Sequence, residues 1–568
     1  MKIWTNLIFL FCGLVWLLWG AGQTAVSQPP ANSPHFIYLP TIALGIPRPA
    51  LANPISYGVN FISSAEGLAD EQQYQNGLAT NATWNRWPFY WPIIEPMPGD
   101  FDWSTQDAAV QADIAHGLQI NAILLGTPIS YTTNLAARGE ARPSPPSGLS
   151  LQAVQAATPI GLYEPIFDDG TDVPGPGKAI NEGNVWARFV WLAVNRYKPG
   201  GQMAQQQQWP AGVGVTHWEM WNEPDLPFFW DSSLADYARL LKVGYLAAKQ
   251  ADPQAKVLSG AMANNSLHLS YYDEILAIYD NDPLAAQHHY FHDIYATHSY
   301  FHAWNSWFHI WRATNTMAAH GLPEKPIWFN ESGVVAWDDY PGPVWDPQSP
   351  LRATVSEQAA YTIQSAFYAA FAGADAIFHF QLYDGCGNQP QGTDFPPHNG
   401  ELCDANGHLI GQPGIPCAGD AHGLYTNPAD AACFRQHPQP ESPRPQLAAF
   451  QVVTEHLVDA APYWRLRPGS DDPANGPQEW IALYRPATKE RIIGMWARIG
   501  QDETAVLQAT SPDQTALLVY PDGMTLTITA VNNHYTILLP AATNQNAPWD
   551  PNLYPIGGQP VIVIEKMP

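Results

Sequence analysis

The run VTHWEMWNEPDLPFFWDSSLADYARLLKVGYLAAKQADPQAKVLSGA, residues 215–261, contains one strand, one helix and a second strand. VTHWEMWNE, from Val215, is dense in β-branched and aromatic residues, and Pro224 stops it by removing a ladder donor. Ser232 or Ser233 then offers a hydroxyl to cap a helix, and Leu234, Tyr237, Leu241, Tyr245 and Ala248 recur at spacings of three or four on one face. AKVLSGA, from Ala255, follows as a short apolar strand. Two strands joined through a helix lie parallel, because a tight turn cannot connect them that way.

The same alternation extends in both directions. Six further strand-like runs begin at Ile55 (ISYGVNF), Ala82 (ATWNRW), Ile120 (INAILLG), Ile294 (IYATHSY), Pro326 (PIWFNES) and Ala374 (ADAIFHFQ), each followed by a longer amphipathic stretch. Eight βα units over residues 55–460 predict a (β/α)8 TIM barrel; a doubly wound sheet would usually carry fewer strands and often a glycine-rich phosphate turn, which is not found. Two loops are long, 127–178 after the third strand and 384–440 after the eighth, and both follow strand carboxyl ends, where they would wall a cleft. From 461 to 568 the pattern changes to short alternating runs (WIALYRP, RIIGMWARI, TALLVYP, TLTITAV, HYTILLP, PVIVIEK) separated by Gly, Pro, Asp and Asn, which predicts a C-terminal β-sandwich. That domain is expected to buttress the barrel, with carbohydrate binding as the alternative.

At the amino end, MKIWTNLIFLFCGLVWLLWG has one Lys and then an apolar run of the length of an export signal, so residues 1–27 are expected to form a signal peptide and 28–54 a Pro/Ala-rich linker. The alternative is a retained membrane anchor. Of the five cysteines, Cys12 lies in the signal, and Cys386, Cys403, Cys417 and Cys433 form an even set in one loop. Export to an oxidising compartment favours two disulfides over zinc, with the pairing open. Acidic residues number 51 against 25 basic ones, a formal charge of −26 that repels phosphate backbones and makes nucleic acid a poor partner. The chain also carries 23 Trp, 25 Tyr and 21 Phe, flat rings suited to stacking on sugar faces. The histidines at 288, 289, 292, 298, 302 and 309 lack the His-Glu-x-x-His pattern or a fixed carboxylate partner, so no metal and no cofactor is expected.

Two glutamates stand where chemistry could be done. Glu223 ends the fourth strand in HWEMWNEPD, with Trp221 two residues back and expected on the same face; Glu331 ends the seventh in PIWFNESG. Strands four and seven face each other across an eight-stranded barrel, so both side chains can reach one centre. Opposed carboxyls suit hydrolysis of a glycosidic bond: at about 5–5.5 Å apart they cannot both ionise cheaply, so one keeps a proton to donate while the other stays charged. A neighbouring cation would decide which, and Arg86 on the second strand is the candidate.

Asn-Glu-Pro on the fourth strand and Glu on the seventh resemble glycoside hydrolase clan A, and WEMWNEPDLPFFW, followed by a Tyr-bearing helix, is similar to family 39. The resemblance implies a retaining β-glycosidase acting by double displacement, with Glu223 as general acid/base and Glu331 as nucleophile. It further implies that Asn222 binds the sugar 2-hydroxyl, that Arg86 lies beside the nucleophile, and that His298 and Tyr300 form the clan's His-x-Tyr pair, with Tyr300 orienting Glu331. The substrate would be a plant or microbial poly- or oligosaccharide, and the alternative is a barrel that binds sugar without cleaving it. Two features depart from the pattern. Ser332 and Gly333 follow the seventh-strand Glu, and the eighth strand reads IFHFQLYD where relatives end in Trp, so His379, Gln381, Tyr383 or Trp337 would have to floor the sugar site.

Overall fold

A computed structural model of the chain describes residues 54–132, 156–227, 229–264, 266–322, 325–336, 339, 352–385, 421–431, 437–466, 476–512, 514–547 and 550–568. The signal peptide, all but the last residue of the linker, the five cysteines with their expected bridges, Trp337, and the middle parts of both long loops lie outside the described residues. No helix among the described residues is long and apolar enough to cross a membrane.

Eight parallel strands, β1 (Ser56–Asn60), β2 (Trp84–Tyr90), β3 (Gln119–Leu125), β4 (His217–Asn222), β5 (Lys256–Ala261), β6 (Tyr295–Tyr300), β7 (Ile327–Gly333) and β8 (Ala376–His379), pair in the order β5-β4-β3-β2-β1-β8-β7-β6. Parallel bridges Leu258↔Ile294 and Met262↔Thr297 join β5 to β6 and close the ring, so the expected TIM barrel is present. Its main helices are α1 (Glu71–Leu78), α2 (Ser104–Ala115), α3 (Val185–Tyr197), α4 (Leu234–Ala251), α5 (Tyr271–Tyr279), α6 (Asn305–Ala319), α7 (Val355–Ala372) and α8 (Pro445–His456). The N-cap of α4 is Ser233, reciprocated by Asp236 in a capping box, and Tyr237, Leu241, Tyr245 and Ala248 are buried as their spacing predicts.

A dry plug of Trp84, Leu258, Ile294, Trp328 and Phe378 fills the lower part of the barrel. Gly58 on β1 makes room for it, since a Cβ there would lie 2.2 Å from the Phe378 ring. With the bottom sealed by large side chains, the upper interior is free for polar residues.

The C-terminal part forms an antiparallel sandwich. Six strands pair in the order β9-β10-β11-β16-β13-β14: β9 (Ala461–Arg465), β10 (Gln478–Arg485), β11 (Glu490–Ala497), β16 (Val561–Lys566), β13 (Thr515–Val519) and β14 (Thr525–Thr529). β12 (Glu503–Gln508) and β15 (His534–Leu539) form a second ladder, and a separate apolar cluster including Ile493, Leu507, Leu518, Ile537 and Val563 lies between the layers. The sequence reading did not identify β9 or β12. APYWR carries a proline and a register shift between Pro462 and Trp464, while ETAVLQ opens on a charge and presents Thr504, Val506 and Gln508 to solvent.

The sandwich packs on α6 and α7. Arg465 on β9 donates two hydrogen bonds to Glu479, which also accepts from Tyr368 on α7, and the guanidinium covers the rings of Trp307 (5.1 Å) and Tyr368 (5.0 Å). Gly494 on β11 leaves space for the Phe367 ring of α7, whose nearest atoms would be 2.9 Å from an added Cβ. Gly58→Ala should lower stability by about 1–3 kcal/mol through overpacking against Phe378, read as a lower midpoint in urea unfolding; an unchanged midpoint would mean that the plug yields easily.

Candidate active site

The polar upper interior is organised around Arg86. Its position on β2 points it inward, where it is 1% exposed, and its Nε and Nη2 donate to the two oxygens of Glu219 on β4 at 2.9 and 2.8 Å. Nη2 also reaches Asn222 Oδ1 at 2.9 Å, and Nη1 donates to Glu331 Oε1 at 2.5 Å. Glu219, fully buried, further accepts from Asn330 Nδ2 (2.9 Å) and the Ala261 amide (3.2 Å). Burial alone would strip the guanidinium of its proton more easily, but the charges of Glu219 and Glu331 outweigh it and hold Arg86 firmly cationic.

Two backbone irregularities bring the remaining groups inward. On β4 the alternation breaks at Trp221, which has φ +81°. Met220 packs outward against Gly244 of α4, and Trp221 also turns outward, donating its Nε1–H to Phe229 O at 2.8 Å and meeting Trp186 and Trp230 edge-on. Trp221 therefore does not share a face with Glu223, contrary to the sequence expectation; Asn222 turns in toward Arg86 instead. On the other side, a register shift between Thr297 and His298 sets His298 opposite Glu331, leaving Asn330 as the extra residue of a bulge on β7. Asn330 and Glu331 consequently both reach the interior.

Glu223 and Glu331 converge. One oxygen of each, with one ring nitrogen of His298, all lie within 4.8 Å of one another, and the two glutamates keep only 9% and 7% exposure. His298 Nδ1 stands 2.8 Å from Glu223 Oε1 and 3.4 Å from Glu331 Oε2. Burial pushes this imidazole down to about 4, so it is neutral near pH 7. Its Nε2 is buried without a hydrogen-bond partner, so the single ring proton is best used on Nδ1, donated to Glu223. Tyr300 on β6 donates its hydroxyl to Glu331 Oε2.

The two carboxyls therefore sit in different surroundings. Burial, reinforced by the charge of Asp225 and opposed by Arg86, pushes Glu223 up to about 8. Glu331 is bonded directly to the guanidinium and the phenol. One group can hold a proton at neutral pH while the other, beside a cation, can act as a nucleophile. Glu223, His298 and Glu331 form the only trio of metal-capable side chains among the described residues, and Glu331 already accepts from the Arg86 guanidinium on Oε1 and from Tyr300 on Oε2.

Other expected residues lie elsewhere. Gln381 is half-buried past the end of β8; its backbone oxygen accepts from Leu424, and no hydrogen bond of its side chain appears among the described residues. His379 turns outward, its ring 5.7 Å from Phe450 of α8, and Tyr383 bonds Asn76 of α1. By alternation along β8, Phe378 and then Phe380 point inward. Phe380 meets Tyr300 and Phe61 edge-on, each at 6.0 Å, and is thus the aromatic that the end of β8 brings beside Tyr300. Sequence reasoning assigned no site role to Glu219, Asn330 or Phe380; counting alternate residues from Phe378 would have reached Phe380.

No family model matches the chain, and no curated protein does. Among solved structures, a family 39 glycoside hydrolase from the gut symbiont Bacteroides cellulosilyticus WH2 matches with a TM-score of 0.54 and 16% identity, over 90% of this chain and 81% of that one. The fold is that of this family 39 enzyme. A family 39 β-xylosidase from Caulobacter crescentus (TM-score 0.47, 16% identity, 91% of this chain and 98% of that one) also matches, as does a family 30 endoxylanase from Clostridium papyrosolvens C71 (TM-score 0.48, 11% identity, 92% and 99%). At these identities the family 39 likeness is one of architecture, a barrel followed by a sandwich.

Arg86→Met should destabilise the protein by about 3–5 kcal/mol, because Glu219 would be left charged and buried without its partner. Denaturant unfolding measures this, and Arg86→Met with Glu219→Met should recover much of the loss if the pair, rather than shape, is responsible.

Proposed function

We propose that the chain is a retaining β-glycoside hydrolase, exported from the cell, that cleaves a poly- or oligosaccharide by double displacement. One observation carries the reading: an oxygen of each carboxyl lies within 4.8 Å of one of the other, with a guanidinium and a phenol on Glu331 and an imidazole on Glu223. This separation suits direct attack by one carboxylate, whereas an inverting enzyme needs about 6.5–9.5 Å to admit a water between them. The family 39 fold supports the same class. Export rests on the apolar amino-terminal run read from the sequence.

In the first half-reaction Glu331, aligned by Arg86 and Tyr300, attacks the anomeric carbon. Glu223 passes its proton to the departing glycosidic oxygen, so the bond breaks as a covalent glycosyl ester forms on Glu331. His298 keeps Glu223 Oε1 engaged, which leaves Oε2 to carry and deliver that proton. In the second half, Glu223, now a carboxylate, removes a proton from water; the hydroxide displaces Glu331 and the starting anomeric configuration returns. Asn222, fixed by Arg86, is available to the sugar hydroxyl next to the reacting carbon.

Glu331→Gln should abolish turnover of aryl β-glycosides, tested across xyloside, glucoside, galactoside, mannoside and arabinoside, while the thermal midpoint changes little. Proton NMR of the first-formed product should show retained configuration; inversion would reject the mechanism. Glu223→Gln should cost about 10²–10⁴-fold with poor leaving groups and much less with a dinitrophenyl group that needs no proton. Because the acid must be protonated to act, kcat/KM should fall as pH rises through about 8, and a basic limb near 5 would contradict the assignment. Full activity in Glu331→Gln would mean that another group does the catalysis, and no turnover of any of these glycosides by the wild type would leave a sugar-binding protein.

A further inference from the structure

Behind Glu331 lies a chain of buried hydroxyls that the mechanism above does not use. Tyr361 Oη on α7 donates to the carbonyl of Ser299 at 2.9 Å, and Ser332 Oγ donates to Tyr361 Oη at 3.2 Å. Ser365 Oγ lies 3.0 Å from Ser332 Oγ and 2.7 Å from Ser306 Oγ. With the single proton of Ser332 given to Tyr361, Ser365 must donate to Ser332 and Ser306 to Ser365. The order Ser306, Ser365, Ser332, Tyr361, Ser299 carbonyl is then fixed in one direction, each hydroxyl donating once. All four hydroxyl residues are at most 7% exposed, so water cannot replace a lost link without entering the core.

The ends of this chain are informative. Ser332 directly follows Glu331, and Ser299 directly precedes Tyr300, whose hydroxyl bonds Glu331. The hydroxyls thus tie β6 and β7 to α7 just beneath the contact that orients the nucleophile, one step past the β7 bulge. The C-terminal domain grips the same place from outside. Gln364, next to Ser365 on α7, donates to Gly558 O and accepts from the Gly557 amide, both at 2.9 Å, and Pro555 O accepts from the amide of Ala303 on the loop after Tyr300 at 3.2 Å.

We propose that Ser365 is a positioning residue for the nucleophile: through Ser332 and Tyr361 it fixes Glu331 against Tyr300 and Arg86, and residues 555–558 of the C-terminal domain lock it in place. The proposal rests on the retaining-hydrolase reading. It gives the sandwich a part in turnover distinct from sugar binding.

The test compares wild type with Ser365→Ala, Tyr361→Phe and Gln364→Ala, using whichever aryl β-glycoside the wild type cleaves and the matching 2-deoxy-2-fluoro glycoside as a trap read by peptide mass spectrometry. Ser365→Ala should lower kcat about tenfold or more with KM within about twofold, since displacement of a reacting group affects the barrier more than binding. The rate at which Glu331 is labelled should fall by the same factor. Tyr361→Phe and Gln364→Ala should lower kcat in the same direction, and Ser365→Cys, which keeps a donor of similar size, should recover part of the loss. If the variants melt earlier but retain wild-type kcat and labelling rates, the hydroxyls serve stability only and the proposal is wrong; should Ser365→Ala not fold, the Tyr361 and Gln364 variants decide. Wild type that turns over without labelling Glu331, or that neither turns over nor is labelled, would instead overturn the retaining-hydrolase reading and take the proposal with it.

Discussion

The site depends on a guanidinium buried inside a barrel. A charge at the position of Arg86 is tolerable only if it is paired and fully hydrogen-bonded, and Glu219 supplies both with a two-pronged contact. That pairing fixes the plane of the guanidinium. Its remaining donors then point in set directions, one at Asn222 and one at Glu331, so a structural ion pair deep in the barrel determines where the carboxylate at the rim must sit. Lysine could not do the same, since a single ammonium lacks the fork that locks orientation.

Arg86 fixes Glu331 from one side only. The other side depends on the separation between the ends of β6 and β7, just past the bulge at Asn330. The residues there are small and hydroxylated, and their side chains tie the two strand ends to α7. The sandwich presses on α6 and α7 through Arg465, Trp307 and Tyr368, through Gly494, where a side chain would collide with Phe367, and through the bonds of Gly557 and Gly558 to Gln364. Packing that looks like simple buttressing therefore converges on the same short stretch as the polar contacts.

Much of this was legible in the sequence, for reasons that can be stated. The eight strands stood out because a parallel barrel buries both faces of each strand and concentrates β-branched and aromatic residues in short runs bounded by turns. Glu223, Glu331 and Arg86 were legible because strand ends on one rim must converge. Trp221 was misread because alternation assumes regular backbone, and a residue at φ +81° breaks it; nothing in HWEMWNE marks that position. Asn330 was missed for the same reason on β7. β9 and β12 were missed because a proline and an open, polar-faced ladder weaken the pattern on which strand recognition relies. Gln381 was offered as one stand-in for the missing eighth-strand Trp, but parity along β8 brings Phe380 inward instead.

Two chemically identical side chains acquire different characters here from what surrounds them. Glu331 meets a permanent cation and a phenol hydroxyl, both donors aimed at its oxygens. Glu223 meets a neutral imidazole and, two residues on, Asp225, whose charge adds to the cost of burial. Asp225 is itself held by the Ala263 amide on the stretch after β5, so the proton on Glu223 depends on a neighbour anchored to a different strand. His298 stays neutral because it is wholly buried, and a neutral ring can stand beside both glutamates, donating to Glu223, without adding a charge between them. A protonated imidazole at the same point would pair with either carboxylate and erase that asymmetry. The burial of His298 therefore contributes to that asymmetry as much as the direct partners of the glutamates do.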